Sequence, residues 1–153
     1  MAYSALQVAN RIIEKGREKG LYFTQMQLLK LVYIAHGWYL AVSDAPLINN
    51  QVEAWKYGPV ISDLYQVVKV FGSEQIKGDL INNPVAFSDD AETVMDFVIR
   101  NYGSFSAFKL SEITHAPNTP WSETFNQDGG WAEVITNGAI QKHYRELYKQ
   151  YFN

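Results

Sequence analysis

TQMQLLKLVYIAHGWYL, residues 24–40, decides how the rest of the chain must pack. Gln27, Lys30, Tyr33 and His36 recur every three residues, while Met26, Leu28, Leu29, Leu31, Val32, Ile34, Ala35, Trp38 and Leu40 cover nearly everything else. A helix with so narrow a polar stripe has to be covered on several sides. Thr24 followed by Gln27 is a capping box, in which each side chain satisfies an orphan N–H at the helix start. Lys30, His36 and the glutamines keep the stretch short of the roughly 18 uninterrupted apolar residues of a membrane span. It reads as the central helix of a mainly α, single-domain bundle spanning residues 1–153.

Upstream, Leu6, Ala9, Ile12, Ile13 and Gly16 are spaced as one face of an amphipathic helix, with Ser4 and Gln7 as a second capping box and Gly20 as its stop. Downstream, Pro46 to Ile48 and Val52 to Trp55 read as a small β-hairpin near 46–56 turning on Asn49-Asn50. Gly58 and Pro59 suit the cap and first position of a third helix, which runs to Phe71. Residues 73–87 are an irregular connection, and Asp89 with Glu92 restarts helix. Ser106 caps a short helix that stops before Pro117, and Thr119-Pro120 starts another. Gly129-Gly130 breaks the chain, and a last helix over 137–152 carries Ile140, Tyr144, Leu147, Tyr148 and Tyr151 on a buried stripe. About six helices result.

At 153 residues one core is enough without disulfides or metal staples. Hydrophobic residues at 47% and charged residues at 19% fit a folded globular chain. The 14% aromatic share leans toward protein contacts, where tyrosine and tryptophan concentrate. A net charge of −3 without Lys/Arg runs makes nucleic acid an unlikely partner. There is no cysteine, and MAYSALQVAN lacks the features of a signal peptide, which points to the cytoplasm. Three scattered histidines give no metal-ligand spacing, and no glycine-rich phosphate loop appears, so neither metal nor cofactor is expected.

LLKLVYIAHGWYL at 28–40, VEAWKYGPVISDLY at 52–65, and LSEITH at 110–115 followed by Pro120-Trp121 together resemble the Panacea antitoxin domain, a family that includes SocA-type antitoxins and related phage-associated proteins. The resemblance spans roughly residues 5–125 and departs at Leu29, where members commonly carry glutamine. It implies a mostly helical antitoxin of a toxin–antitoxin system, of phage-defence or prophage type. Such a protein neutralises a cognate protein toxin, encoded by a neighbouring gene, by binding it directly. The alternative it implies is an adaptor that delivers the toxin to the ClpXP protease. Neither is catalytic.

The motif positions Trp38, Trp55, Gly58, Pro59, Tyr65, Thr114, His115, Pro120 and Trp121 read as structural, with Trp55 in the core. Glu53, Lys56 and Tyr57 belong either to a recognition surface at a rigid turn or to a structural turn in which Glu53 pairs with a cation. Gln27, Lys30, Tyr33 and His36 form either a toxin-facing groove or the solvated side of the central helix. A hydrolase built on His115 with Ser111 and Thr114 is the enzymatic rival; a histidine at a helix end serves better to satisfy free carbonyls. Asp89-Asp90 is a helix-start charge. Trp121, Trp131, Tyr144, Tyr148 and Tyr151 are candidate aromatic anchors.

Overall fold

The long helix α2 (Gln25–Ser43) is the axis on which the other elements pack. Its start is the expected capping box: the Gln27 N–H donates to Thr24 Oγ1 at 3.4 Å and the Thr24 N–H donates to Gln27 Oε1 at 2.9 Å. Ser4 and Gln7 repeat the device ahead of α1 (Ala5–Glu18). The computed structural model describes residues 2–128 and 132–152, so Gly129-Gly130 and Trp131 lie outside the described residues. The remaining helices are α3 (Ser62–Val68), which continues into a 3-10 turn at Lys69–Phe71, α4 (Asp89–Tyr102), α5 (Ala107–Thr114), α6 (Pro120–Asp128) and α7 (Asn137–Phe152). The fold is mainly α, with seven α-helices among the described residues where about six were expected.

Helices α1, α3, α4, α5 and α7 all pack on α2. Residues 28–38 of α2 are therefore buried without a break, and the solvated side expected for its polar stripe does not exist. Lys30 is 1% exposed, Tyr33 1% and His36 0%; of the four stripe residues Gln27 alone reaches the surface. Where α7 crosses α2, Gly37 leaves room for the Tyr144 ring, which would lie 2.3 Å from an added Cβ.

Strands β2 (Val52–Trp55), β3 (Gly58–Val60) and β5 (Glu133–Ile135) form an antiparallel sheet in the order β3-β2-β5, and β1 (Phe23–Thr24) pairs with β4 (Gln75–Ile76). The hairpin lies further along than the sequence suggests. It pairs Trp55 with Gly58 and Glu53 with Val60, turning on Lys56-Tyr57. The chain does bend at Asn49-Asn50, but residues 46–48 do not pair with β2; the Asn50 side chain accepts from the Ala5 N–H at 2.7 Å and donates to Asp63 at 2.8 Å, tying α1 to α3. Ile48 makes just a bridge to Tyr3. Gly58 and Pro59 belong to strand β3 and not to a helix start. The proline is tolerated there because β3 is an edge strand, so a missing N–H breaks no ladder.

Two other boundaries shift for local reasons. Ser88 and not Asp89 caps α4, and Glu92 turns away to Arg11 at 2.7 Å and Lys15 at 3.0 Å, clamping α4 to α1. In α7, Ile140 and Tyr144 are buried as expected, but Tyr148 and Tyr151 are 44% and 66% exposed. The last turn rests ring on ring against Trp38 and Phe97 and leaves its outer side open. No helix among the described residues is long and apolar enough to cross a membrane.

Candidate partner-binding site

The turn Lys56-Tyr57-Gly58-Pro59 is fixed from beneath by donors on three other elements. From α2, Lys30 Nζ donates to the Pro59 carbonyl at 2.9 Å and to the Tyr57 carbonyl at 3.5 Å. From α5, Ser111 Oγ donates to the same Tyr57 carbonyl at 2.8 Å. From α6, Trp121 Nε1 donates to the Trp55 carbonyl at 2.5 Å. The three sequence stretches of the family resemblance thus meet at one turn. Gly58 has φ +124°, and an added Cβ would stand 2.7 Å from Lys30 Nζ, so no other residue type fits without strain.

Thr114, His115, Thr119 and Pro120 set the position of the two supporting helices. Thr114 Oγ1 donates back to the Leu110 carbonyl at 2.9 Å within α5. His115 ends α5; its Nδ1 contacts the Ser111 carbonyl, and its ring stands edge-on to Trp121 at 5.3 Å. That is the role of a helix-end histidine. Thr119 Oγ1 accepts from the Ser122 N–H at 3.2 Å, and Pro120 occupies the first position of α6, as the sequence indicated.

Among the described residues Lys30 has no carboxylate partner. Burial lowers its pKa to about 8, because carbonyl dipoles replace only part of the lost hydration. Above the turn lies an open hollow of about 260 Å³ lined by Met26, Leu29, Lys30, Trp55, Lys56, Tyr57, Val60 and Tyr65. Trp55 is half-buried, not core; its ring packs edge-on to Tyr65 at 5.3 Å and forms a wall of the hollow. Glu53 accepts from the Trp55 indole at 2.8 Å, so its partner is a ring N–H where a cation was expected. Tyr57 is 65% exposed, with Lys56 Nζ 5.4 Å from its ring centre.

The stripe on α2 therefore divides. Gln27 donates to the Phe105 carbonyl at 3.0 Å, and Lys30 works from below. Tyr33 and His36 are interior residues well away from any surface. The Tyr33 hydroxyl is buried with no hydrogen-bond partner, and burial raises its pKa well above the ordinary value. Tyr33→Phe removes this unsatisfied group and is expected to stabilise the fold by about 1 kcal/mol, read from urea unfolding. A loss of that size instead would mean that the hydroxyl has a partner.

His36 joins three elements. Its Nδ1 accepts from the Ile48 N–H at 3.4 Å and its Nε2 donates to Asn137 Oδ1 at 2.9 Å, which requires the neutral ring. Burial lowers its pKa, and burial lowers that of His143 in the same direction. As pH falls through the unfolded value of about 6.5, the unfolded chain takes up protons that the folded chain refuses, so stability drops toward acid. His36→Gln is expected to flatten that slope in unfolding titrations between about pH 7 and pH 5.

Of the chosen site residues, the structure brings Lys30, Glu53, Lys56 and Tyr57 together around one turn. Met26, Leu29 and Ser111 escaped selection. The available signal for Ser111 was its place one turn before His115 in LSEITH, and for Leu29 the apolar substitution next to Lys30.

The model of the family described as antitoxin SocA-like, Panacea domain, matches residues 28–122. The chain is also 31% identical over 136 residues to Antitoxin SocA of Caulobacter vibrioides (strain NA1000 / CB15N), covering 82% of this chain and 72% of that protein. No solved structure matches it significantly. The chain belongs to the SocA-like antitoxin family with a Panacea domain.

Proposed function

We propose that this chain is the antitoxin of a toxin–antitoxin pair, and that it neutralises a protein toxin encoded by a neighbouring gene by binding it directly through the face around Tyr57. Family membership supports the antitoxin role. The observation that carries the placement is an exposed tyrosine on a backbone pinned by three donors from the interior. A rigid aromatic anchor loses little conformational freedom on binding, which is what a tight interface needs. His115 is occupied in closing α5 and packing on Trp121, so no catalytic role is assigned to it.

Co-expression with the neighbouring gene product tests this reading. Growth should be rescued, the two proteins should co-purify, and the toxin level should stay unchanged. Rescue that needs active ClpXP and shortens the toxin half-life would replace sequestration by the adaptor mode. A neighbouring product that is harmless alone, or that still kills in the presence of this chain, would end the antitoxin reading.

A further inference from the structure

We infer that the hollow between α2, α3 and the β2–β3 turn receives one apolar side chain of the toxin with a carboxylate beside it, the carboxylate pairing with Lys56 at the rim. This rests on the antitoxin reading and adds the chemistry of the contact.

Size and lining define the apolar half of the occupant. At about 260 Å³ the hollow falls just under the roughly 300–1,000 Å³ usual for small-molecule sites. That suits a single anchoring side chain from a protein partner. Met26, Leu29 and Val60 supply aliphatic walls, and Trp55, Tyr57 and Tyr65 supply ring faces. Met26 and Tyr57 stand exposed at the mouth, so an entering side chain would gain burial against both. A free inorganic anion would gain none of this contact, which argues against such a ligand.

Charge defines the other half. Two lysines and no carboxylate line the hollow. Lys30 sits in its floor with carbonyl partners, and Lys56 is exposed at its rim without an ion pair among the described residues. Glu53 is the nearby acid, and its carboxylate is engaged by the Trp55 indole. On a chain of net charge −3 this is a locally positive spot with apolar walls. An acidic side chain next to a leucine or phenylalanine on the toxin complements both features, and like charge would repel a basic segment.

The test measures the Kd between the purified chain and the purified neighbouring gene product. Absence of binding by the wild-type chain would strike at the antitoxin reading itself. Given wild-type binding, Lys56→Glu is expected to weaken it by about 30-fold or more and Lys56→Arg by less than about threefold. Met26→Trp, which fills the mouth, is expected to weaken it by about tenfold. Both positions are exposed, and unchanged thermal unfolding of the three variants confirms that the fold is intact. Selection for toxin variants that restore neutralisation to Lys56→Glu should return an acidic-to-basic change adjacent to an apolar residue. Wild-type affinity in both Lys56→Glu and Met26→Trp would overturn the inference, as would suppressors that reverse no acidic residue.

Discussion

Gly58→Ala is expected to cost about 3 kcal/mol of folding stability and to abolish toxin binding. Two penalties act at this position. The backbone is held at φ +124°, a region that costs a residue with a Cβ about 1–3 kcal/mol. The new methyl also stands 2.7 Å from Lys30 Nζ. A lysine terminus can ordinarily step aside, but this one is 1% exposed and donates to the Pro59 carbonyl, so stepping aside toward the hollow gives up that bond. Displacing it breaks charge-assisted bonds worth about 1.5–3 kcal/mol each. Relaxation of the turn recovers part of the combined cost, and a Tm drop on the order of 10 °C follows for a chain of this size. The Tyr57 carbonyl moves with the turn, so its ring leaves the position in which Ser111 and Lys30 hold it.

A double-mutant cycle separates the two penalties. With Lys30→Met in place the ammonium is gone, and Gly58→Ala should then cost about 1 kcal/mol less than it does alone. Equal costs in both backgrounds would assign the whole effect to the backbone. A Gly58→Ala protein that unfolds within about 2 °C of wild type would show that neither the backbone strain nor the clash with Lys30 acts at this position.

The parts of the fold that were legible in the sequence are those governed by local chemistry. Thr24 with Gln27, Ser4 with Gln7, Ser106, and Thr119 with Pro120 each mark a helix start with a hydrogen bond made inside a few residues, and each start is where the sequence put it. What failed depended on partners far along the chain. Asn49-Asn50 has turn composition, yet Asn50 is claimed by Ala5 and Asp63. Glu92 has the spacing of a capping partner, yet Arg11 and Lys15 compete for it successfully. A three-residue polar period on α2 looks solvated until five helices cover it, and the carbonyls that receive Lys30 lie 27 and 29 residues away. The site shows the same division. Tyr57 and Lys56 could be picked out from their turn, whereas the hollow beside them is assembled from α2, α3 and two strands and no single segment announces it.

The second large effect is expected at Gly37. Gly37→Ala would normally strengthen a helix by about 1 kcal/mol, because alanine is the better helix former. Here the added Cβ meets three atoms of the Tyr144 ring at 2.3, 2.4 and 2.8 Å, well inside contact distance. Tyr144 is 3% exposed and packs edge-on against Trp38 at 5.4 Å, so the ring has nowhere to turn and α7 must move off α2 as a body. That movement pulls Asn137 from His36 and Gln141 from the Leu40 carbonyl, losing hydrogen bonds as well as packing. A loss of about 4 kcal/mol is expected, at the high end for overpacking because a whole helix is displaced. Gly78→Ala, with open space around the new methyl, serves as the control and should stay within about 0.5 kcal/mol of wild type. Tyr144→Ala alone opens a cavity and should cost about 3–5 kcal/mol. Combined with Gly37→Ala it should cost at least about 2 kcal/mol less than the sum of the two single changes, because the methyl then occupies space that the ring has left. Strict additivity would mean that the ring and the glycine are not in contact, and the packing of α7 across the middle of α2 would have to be abandoned.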